Sequence, residues 1–333
     1  MIVVYGRLDD PPIKCLIEAL QEAGSAYALV ELTTLDRADL RIDIGPKGVD
    51  GCLAAAGEEI AFERIHGVYA RPLELPQRWS LPHADARVRL LHAQFLEWLD
   101  VAEALVVSRP RAMQANASKP LQAQLIGEAG LTVPSSLVTS DPAEARAFWR
   151  EHGRVIFKST SGVRSIVQEL DQHSARALER VALLPTQFQA YVPGVDVRVH
   201  VVGRRTFAAQ IVSPATDYRY AARAGSEVRI CATELPGELA QRCVELCERM
   251  ELPLAGVDLR RRPDGEFVCF EVNPMPAYSY YEAHTGVRIS QALAELLIES
   301  ERHPMERGDG TGDRESHLDQ RRDDCTQAAS TAW

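Results

Sequence analysis

The chain has 333 residues, of which 46% are hydrophobic and 25% charged, and its formal net charge is −10. That length predicts two or three packed units rather than one, and the composition is ordinary for a globular protein. The negative charge argues against a nucleic-acid binder, which needs a basic face to neutralise phosphates, but it leaves room for a local basic pocket.

The opening "MIVVYGRLDD" has no basic n-region and only a four-residue apolar run, so it predicts a strand rather than a signal peptide. "DDPPIKCLIEALQEAG" starts with Asp and Pro and ends before Gly24, the start and stop signals of a helix. "AYALVEL" follows as a second strand, and this βαβ opening predicts a small parallel sheet. "LRIDIG" and "GCLAAAGEEIAF" read as a hairpin around Gly57, "HGVYARP" as a further strand. "HADARVRLLHAQFLEWLDVAEALVV" reads as one long amphipathic helix, closing an N-terminal α/β unit over residues 1–110.

A loop, a helix from about Ser118 to Glu128 and a strand come next. "DPAEARAFWREHG" is a helix with Asp141 at its N-cap and Pro142 in its first turn. "RVIFKS" and "SIVQEL" are strands joined by "STSGVR". "TQFQAYVPGVDVRVHVVGRRTFAAQIV" is strand, turn, strand, turn, strand; "DVRVHVV" alternates an apolar face with a polar face of Asp196, Arg198 and His200. "PGELAQRCVELCERME" is a helix, "AGVDLRRRPDGEFVCFEVN" a hairpin turning at "PDG", and "RISQALAELLIES" a closing helix.

The seven cysteines (15, 52, 231, 243, 247, 269, 325) form no Cys-x-x-Cys pair and no regular framework, which predicts a reducing, cytoplasmic setting. Cys243 and Cys247, one helical turn apart, read as core-facing thiols. No apolar run approaches the roughly 20 residues of a membrane span, so no membrane partner is expected. Residues 303–333 are polar, Gly-containing and almost free of aliphatics, and predict a disordered tail.

The chemistry gathers in the last hairpin. Glu271 and Asn273 stand two apart on a strand that Pro274 ends, so they share a face. Polar strand ends are common, and the pair alone decides nothing. Pairing about Asp264-Gly265 sets Asp258 opposite Glu271 on the same face, so three oxygen ligands converge. With no Lys opposite them the two carboxylates repel, and a hard divalent cation removes that cost. Arg260, Arg261 and Arg262 could do so instead, but beside the turn they read as a solvated loop.

Two Mg²⁺ ions on such a set bridge ATP phosphates. Lys158 ends the apolar strand "VIFK", and the small "STSGVRS" loop after it, with Ser161 and Gly162, is able to close over phosphates through backbone N–H groups. Short hairpin loops also look like this without function. Lys119, at a helix start, could reach a phosphate too. "TQFQAYVPGVD" offers an edge strand, Gln189, Ala190, Tyr191 and Val192, whose backbone can read adenine, and a turn that returns Asp196 toward a ribose. Arg198 and Arg219 are candidate clamps for a transferring phosphoryl group or an oxyanion.

The order of these pieces resembles the ATP-grasp superfamily, and within it the RimK-like and glutathione-synthetase-like carboxylate–amine ligases. The resemblance spans about residues 110–300. It implies an α/β plus α+β architecture: a small N-terminal α/β pre-ATP-grasp domain (1–110), then an ATP-grasp domain (111–302) whose two α+β subdomains, divided near 187–194, clamp ATP. It implies phosphate binding by Lys119 and Lys158, adenine reading by Gln189 to Val192, ribose binding by Asp196, and two Mg²⁺ ions (Mn²⁺ as a substitute) on Asp258, Glu271 and Asn273. The implied reaction phosphorylates a substrate carboxylate and joins it to an amine, releasing ADP and phosphate, with Arg198 or Arg219 on the oxyanion. Small-molecule or peptide carboxylates and amines are the implied partners. Related ligases often form dimers or tetramers, so a homo-oligomer fits. Ala190 stands where relatives often carry Glu, and "PMPAYSYYEAHTG" differs from their Gly-rich ends.

"VYARP" is similar to the Arg-Pro strand end of graspetide ligases, which crosslink ribosomal peptides, although strand ends of this kind also occur without function. A ribosomal-peptide maturase is therefore one alternative, and a non-catalytic nucleotide-binding module another. His200 reads as an ordinary partnered histidine, His284 as a candidate pocket residue beside Tyr280 and Tyr281.

Overall fold

Ile2–Gly6 (β1) is buried at every position, as an unbroken apolar strand inside a parallel sheet must be. The computed structural model describes residues 1–46, 48–55, 57–73, 75, 84–159, 167–175, 178–213 and 228–301. Ser161, Gly162, Arg219 and the 303–333 tail lie outside the described residues. After β1 come α1 (Pro11–Glu22) and β2 (Tyr27–Glu31), then β3 (Asp39–Gly45), β4 (Gly48–Ala55) and β5 (Glu58–Ala61). The last three form an antiparallel meander, so the Gly57 hairpin is flanked by a second one. β6 (Gly67–Ala70), α2 (Ala84–Val101) and β7 (Leu105–Val107) complete a parallel sheet of order β2-β1-β6-β7. The helix expected to run through "ALVV" stops at Val101. Leu105–Val107 pairs with β6 and buries Val106 and Val107, so long-range pairing overrides the helical period.

Next come α3 (Pro110–Met113) and α4 (Lys119–Glu128), the latter capped by Ser118 Oγ, which accepts from Leu121 N. β8 (Ser136–Thr139), α5 (Pro142–His152), β9 (Val155–Ser159), β10 (Gln168–Glu169), α6 (Gln172–Ala175) and β11 (Thr186–Ala190) follow. Their sheet has the order β10-β9-β11-β8. Val155, Phe157 and Phe188 face α5 in its core. Period-two alternation leaves Ile156 and Lys158 on the other face.

The largest sheet contains β12 (Val195–Val202), β13 (Arg205–Val212) and β14 (Arg229–Thr233), then, after α7 (Gly237–Arg249), β15 (Leu254–Arg261) and β16 (Phe267–Asn273). It is antiparallel with the order β14-β13-β12-β15-β16. Val197, Val199 and Val257 pack with Cys243, Cys247 and Cys269 in one core, so the α7 thiols do face inward. α8 (Tyr278–Thr285) and α9 (Ile289–Glu299) close the described chain. Leu293 and Leu297 of α9 share a core with Ile2 and Val4 of β1 and Val202 of β12, which ties the parallel sheet to the large one. No helix among the described residues is long and apolar enough to cross a membrane.

Candidate active site

β15 and β16 pair with Asp258 opposite Glu271 and Gly256 opposite Asn273, so the three oxygen donors share one face. The register slips between Asp258 and Leu259, and Phe270 is the extra residue of a β-bulge. α4 delivers a cation to this face. Gln122, buried one turn into α4, donates Nε2 to the Val272 carbonyl (2.8 Å) and accepts the Val272 N–H on Oε1 (3.1 Å). This two-point clip fixes the first turn against β16, and Lys119 Nζ donates to Glu271 Oε2 at 2.9 Å. Across β12, Arg198 stands opposite Asp258 and donates Nη1 to its Oδ1. The expectation of two carboxylates without a cation opposite is therefore corrected: each holds one, which offsets their mutual repulsion in a half-buried setting. Gln122 carries a signal that sequence reading missed, a long polar side chain on the core-facing side of a helix, one turn past Lys119.

The polar face of β12 is not a solvated one. Arg198 is buried, with its guanidinium 5.8 Å from the Tyr281 ring of α8. His200 is fully buried, 4.8 Å from the same ring. Neither of its ring nitrogens has a hydrogen-bond partner among the described residues, so the expected partnered histidine is corrected. Burial first, and the neighbouring Arg198 charge second, push its pKa well below the usual histidine range. The ring is neutral and is no proton carrier near neutral pH. His284 Nδ1 donates to the Tyr280 carbonyl at 2.7 Å on the exposed side of α8.

Arg260 also departs from expectation. It is no solvated loop residue: Nε donates to Asp196 Oδ1 (2.7 Å) and Nη1 to the Val192 carbonyl (2.9 Å). Arg262 stays at the turn, paired with Asp264 and Glu266. β11, expected at an edge, lies inside its sheet between β9 and β8. Ala190 N donates to the Ser135 carbonyl and Tyr191 N to that of Arg154, both at 2.9 Å. Gln189 is buried and donates Nε2 to Ser136 Oγ at 3.1 Å. Strand order is a long-range property, which no local pattern around Gln189 reports. Lys158 stands on β9 opposite Gln187.

The Tyr191 ring joins the two sheets. Arg154 Cζ lies 3.7 Å and Arg260 Cζ 5.9 Å from its centroid, and Glu169 grips Arg154 with two 2.8 Å bonds. The Arg71 of "VYARP" is buried. It donates Nε to Asp10 Oδ2 at 2.5 Å and Nη1 to the Pro276 carbonyl at 3.0 Å, holding the loop that follows Asn273.

Among the described residues no group of three or more His, Cys, Asp or Glu side chains forms a metal cage. Mg²⁺ does not require one: it takes one or two carboxylates and completes its shell with water and phosphate oxygens. Asp258 and Glu271, facing one another with the Asn273 amide alongside, suit that chemistry.

Two α+β sheets joined through Tyr191 and Val192, with cations and oxygen donors gathered on one face of the larger, define an ATP-grasp protein. The sequence profile of the RimK-like ATP-grasp domain matches residues 116–297, more than half of the chain, and the chain belongs to that family. It is 25% identical over 184 residues to the Haemophilus influenzae protein named "Probable alpha-L-glutamate ligase", a match covering 52% of this chain and 60% of that one. It is 28% identical over 119 residues to beta-citrylglutamate synthase B of Danio rerio, covering 34% and 29%. The matched stretch thus spans less than two thirds of these curated relatives. Among solved structures, the ATP-grasp ligase PsnB with its minimal precursor is 28% identical at TM-score 0.73, covering 90% of this chain and 99% of that one. PsnB has also been solved with a precursor variant, Mg and ADP, at TM-score 0.74. The macrocyclase MdnC of Microcystis aeruginosa MRC, bound to precursor peptide MdnA, has the same fold at 19% identity and TM-score 0.75, covering 90% and 100%.

Proposed function

We propose that this chain is an ATP-dependent carboxylate–amine ligase. The observation that carries this reading is the convergence of Lys119, Arg198, Asp258, Glu271 and Asn273 on one face of the large sheet. Lys119 and Lys158 bind the phosphates, with Ser161 and Gly162, outside the described residues, as further phosphate contacts on this reading. The segment Gln189 to Val192 receives adenine, and since the Ala190 and Tyr191 amides are already bonded, the groups past them, the Tyr191 carbonyl and the Val192 amide, fit that role better. Asp196 takes the ribose. Asp258, Glu271 and Asn273 would hold Mg²⁺, as two ions, with Mn²⁺ as a substitute. Bound Mg²⁺ supplies the positive charge that lets an anionic carboxylate approach an anionic γ-phosphate.

The chemistry needs no protein nucleophile. A carboxylate oxygen of the substrate attacks the γ-phosphorus, the bond to the β-bridging oxygen breaks, and ADP leaves. An amine nitrogen then attacks the acyl carbon, phosphate departs, and the amine proton passes to solvent or phosphate. Lys119 and Arg198 each hold a carboxylate in the structure; on this reading both turn from it to the nucleotide and substrate as these enter. Arg198, with Arg219, offsets the negative charge of the tetrahedral intermediate. This reading includes a unit over 1–110 and an ATP-grasp unit over 111–302 with a break near 187–194. A cytoplasmic setting fits the six free cysteines among the described residues.

A second reading makes the substrate a ribosomal peptide, crosslinked by the same chemistry. It is favoured by one observation: the likeness to PsnB, whose structures contain precursor peptide, extends over 90% of this chain, well beyond the residues matched by the family profile. The test is one experiment. Purified protein is given Mg-ATP with an extract of metabolites and peptides, ADP is followed by chromatography and new masses by mass spectrometry, with Glu271→Ala alongside. A product equal to two metabolites minus water supports the small-molecule ligase. Peptide masses lowered by water support the maturase. ATP binding without turnover overturns both in favour of a non-catalytic module.

A further inference from the structure

Gly256 lies on β15 where a side chain would point onto the Arg198 face. It pairs with His200 on one side and with Asn273 on the other. Arg198 stands one pleat away, opposite Asp258, and its guanidinium lies back across Gly256. A Cβ built on Gly256 falls 2.6 Å from Arg198 Nε, and closer still to Cζ and Nη2. Real carbon–nitrogen contacts do not reach that distance. The backbone here does not need glycine: Gly256 is not among the glycines with positive φ. A glycine inside a central strand destabilises it relative to alanine, so the fold carries it at a loss unless something uses the space.

What uses the space is the guanidinium. It is bounded by Asp258, which accepts from Nη1, by the Tyr281 ring 5.8 Å above, and by the bare backbone of Gly256 beneath. Asn273 stands just across that backbone. We propose that Gly256 is a positioning residue: its missing side chain makes the notch that seats the Arg198 guanidinium between Asp258 and Tyr281, beside Asn273. Arginine, planar and held at several points, needs such a seat more than lysine does. The catalytic consequence rests on the ligase reading above; the notch itself does not.

A double-mutant cycle on the full chain tests it. With Arg198 present, Gly256→Ala drives the buried guanidinium out of its seat and off Asp258, and the thermal unfolding midpoint should fall by roughly 5 °C. In Arg198→Ala the clash is gone, and adding Gly256→Ala should leave the midpoint unchanged or raise it by about 2 °C. An equal fall in both backgrounds, or a failure to fold in both, overturns the proposal, since the glycine would then serve the backbone or another neighbour. If Arg198→Ala alone does not fold, the cycle is run on Arg198→Met, which keeps the stem and removes the fork. Turnover separates positioning from mere packing: Gly256→Ala should keep ADP affinity within about threefold while ADP formation falls at least tenfold. Unchanged turnover at a lowered midpoint would reduce Gly256 to a packing residue. An inactive wild-type protein would overturn the ligase reading and leave the unfolding cycle standing.

Discussion

Lys119 Nζ and Glu271 Oε2 are 2.9 Å apart although 152 residues separate them in sequence. The pair joins the first turn of α4 to the last strand of the large sheet, with about a quarter of each side chain exposed. At that exposure the attraction is partly screened and adds little to stability. On the proposed reading the pair stations a cation and an anion where a phosphate and a metal ion would meet. Glu271→Ala should keep the far-UV circular dichroism spectrum and most of the thermal stability, and lower Mg²⁺-dependent ADP formation at least about a hundredfold. Full activity in the variant would end the metal assignment.

The Asp196–Arg260 pair makes a different kind of prediction. Arg260 holds both Asp196 and the Val192 carbonyl, so it fixes the stretch that links the two sheets. Arg260→Ala releases both and should raise KM for ATP about tenfold, with kcat changed much less, because the loss falls on binding shared by ground and transition states. Steady-state kinetics at varied ATP read this directly. A kcat loss at unchanged KM would place Arg260 with the reacting groups instead.

The nearness of Asp258 to Glu271 is legible to within one residue, because the Pro-Asp-Gly turn and the two-residue period bring the two strand ends together. The bulge at Phe270 leaves no such mark, and it decides the pair: the register on the turn side, Leu259 opposite Cys269, would by itself carry Asp258 opposite Phe270, and the extra residue brings it opposite Glu271. Arg260 is not legible: three arginines beside a turn look alike, and only the β12 neighbour decides which one meets Asp196. β11 looks like an edge strand and β7 like the end of a helix for the same reason. Strand order and strand pairing are decided by distant partners, whereas caps such as Ser118 and Asp141 are decided within four residues.

Burial of His200 sets a pH dependence. In the unfolded chain its imidazole titrates near pH 6.5. In the folded chain its pKa lies well lower. Below about pH 6.5 the unfolded state therefore binds a proton that the folded state does not, and stability falls with pH by up to about 1.4 kcal/mol per unit. Above that pH the contribution is constant. His66 and His92 are also shifted down, chiefly by burial, and act in the same direction. Chemical unfolding between pH 7 and 5.5, above the carboxylate range, should show falling stability, and His200→Leu should flatten the slope. An unchanged slope would mean that folding does not lower the His200 pKa.

The thiols should divide by burial. Burial pushes the Cys243 thiol up to about 12, and Cys247 and Cys269 higher still. Cys231 is exposed. A thiolate-selective reagent at pH 8 should label Cys231 within minutes and reach Cys243, Cys247 and Cys269 only on unfolding. Peptide mapping after a short pulse checks this, and prompt labelling of Cys269 would contradict the packing of β16 against α7.

Arg71 lies outside the proposed nucleotide face and is buried against Asp10. Its side chain and that of Asp10 are 5% and 11% exposed, so the pair is far less screened than those on the surface. It also donates to Pro276, three residues after Asn273, so it ties the end of β6 to the loop that leaves the oxygen donors. Removing one partner of a buried pair leaves the other charge uncompensated, at a cost of about 3–5 kcal/mol. Arg71→Ala should therefore lower the unfolding midpoint by roughly 10 °C, given the size of the chain. Asp10→Asn keeps an acceptor for Arg71 Nε and leaves the Pro276 contact in place but strips the guanidinium of its counter-charge, so it should lower the midpoint too, by less than Arg71→Ala does. Calorimetry on the two variants reads this asymmetry. If Arg71 also sets the loop, ADP formation measured well below the midpoint should fall in Arg71→Ala and persist in Asp10→Asn, where the Pro276 contact survives. Equal losses in both would place the effect on Asp10 and the parallel sheet, with no part played by the loop.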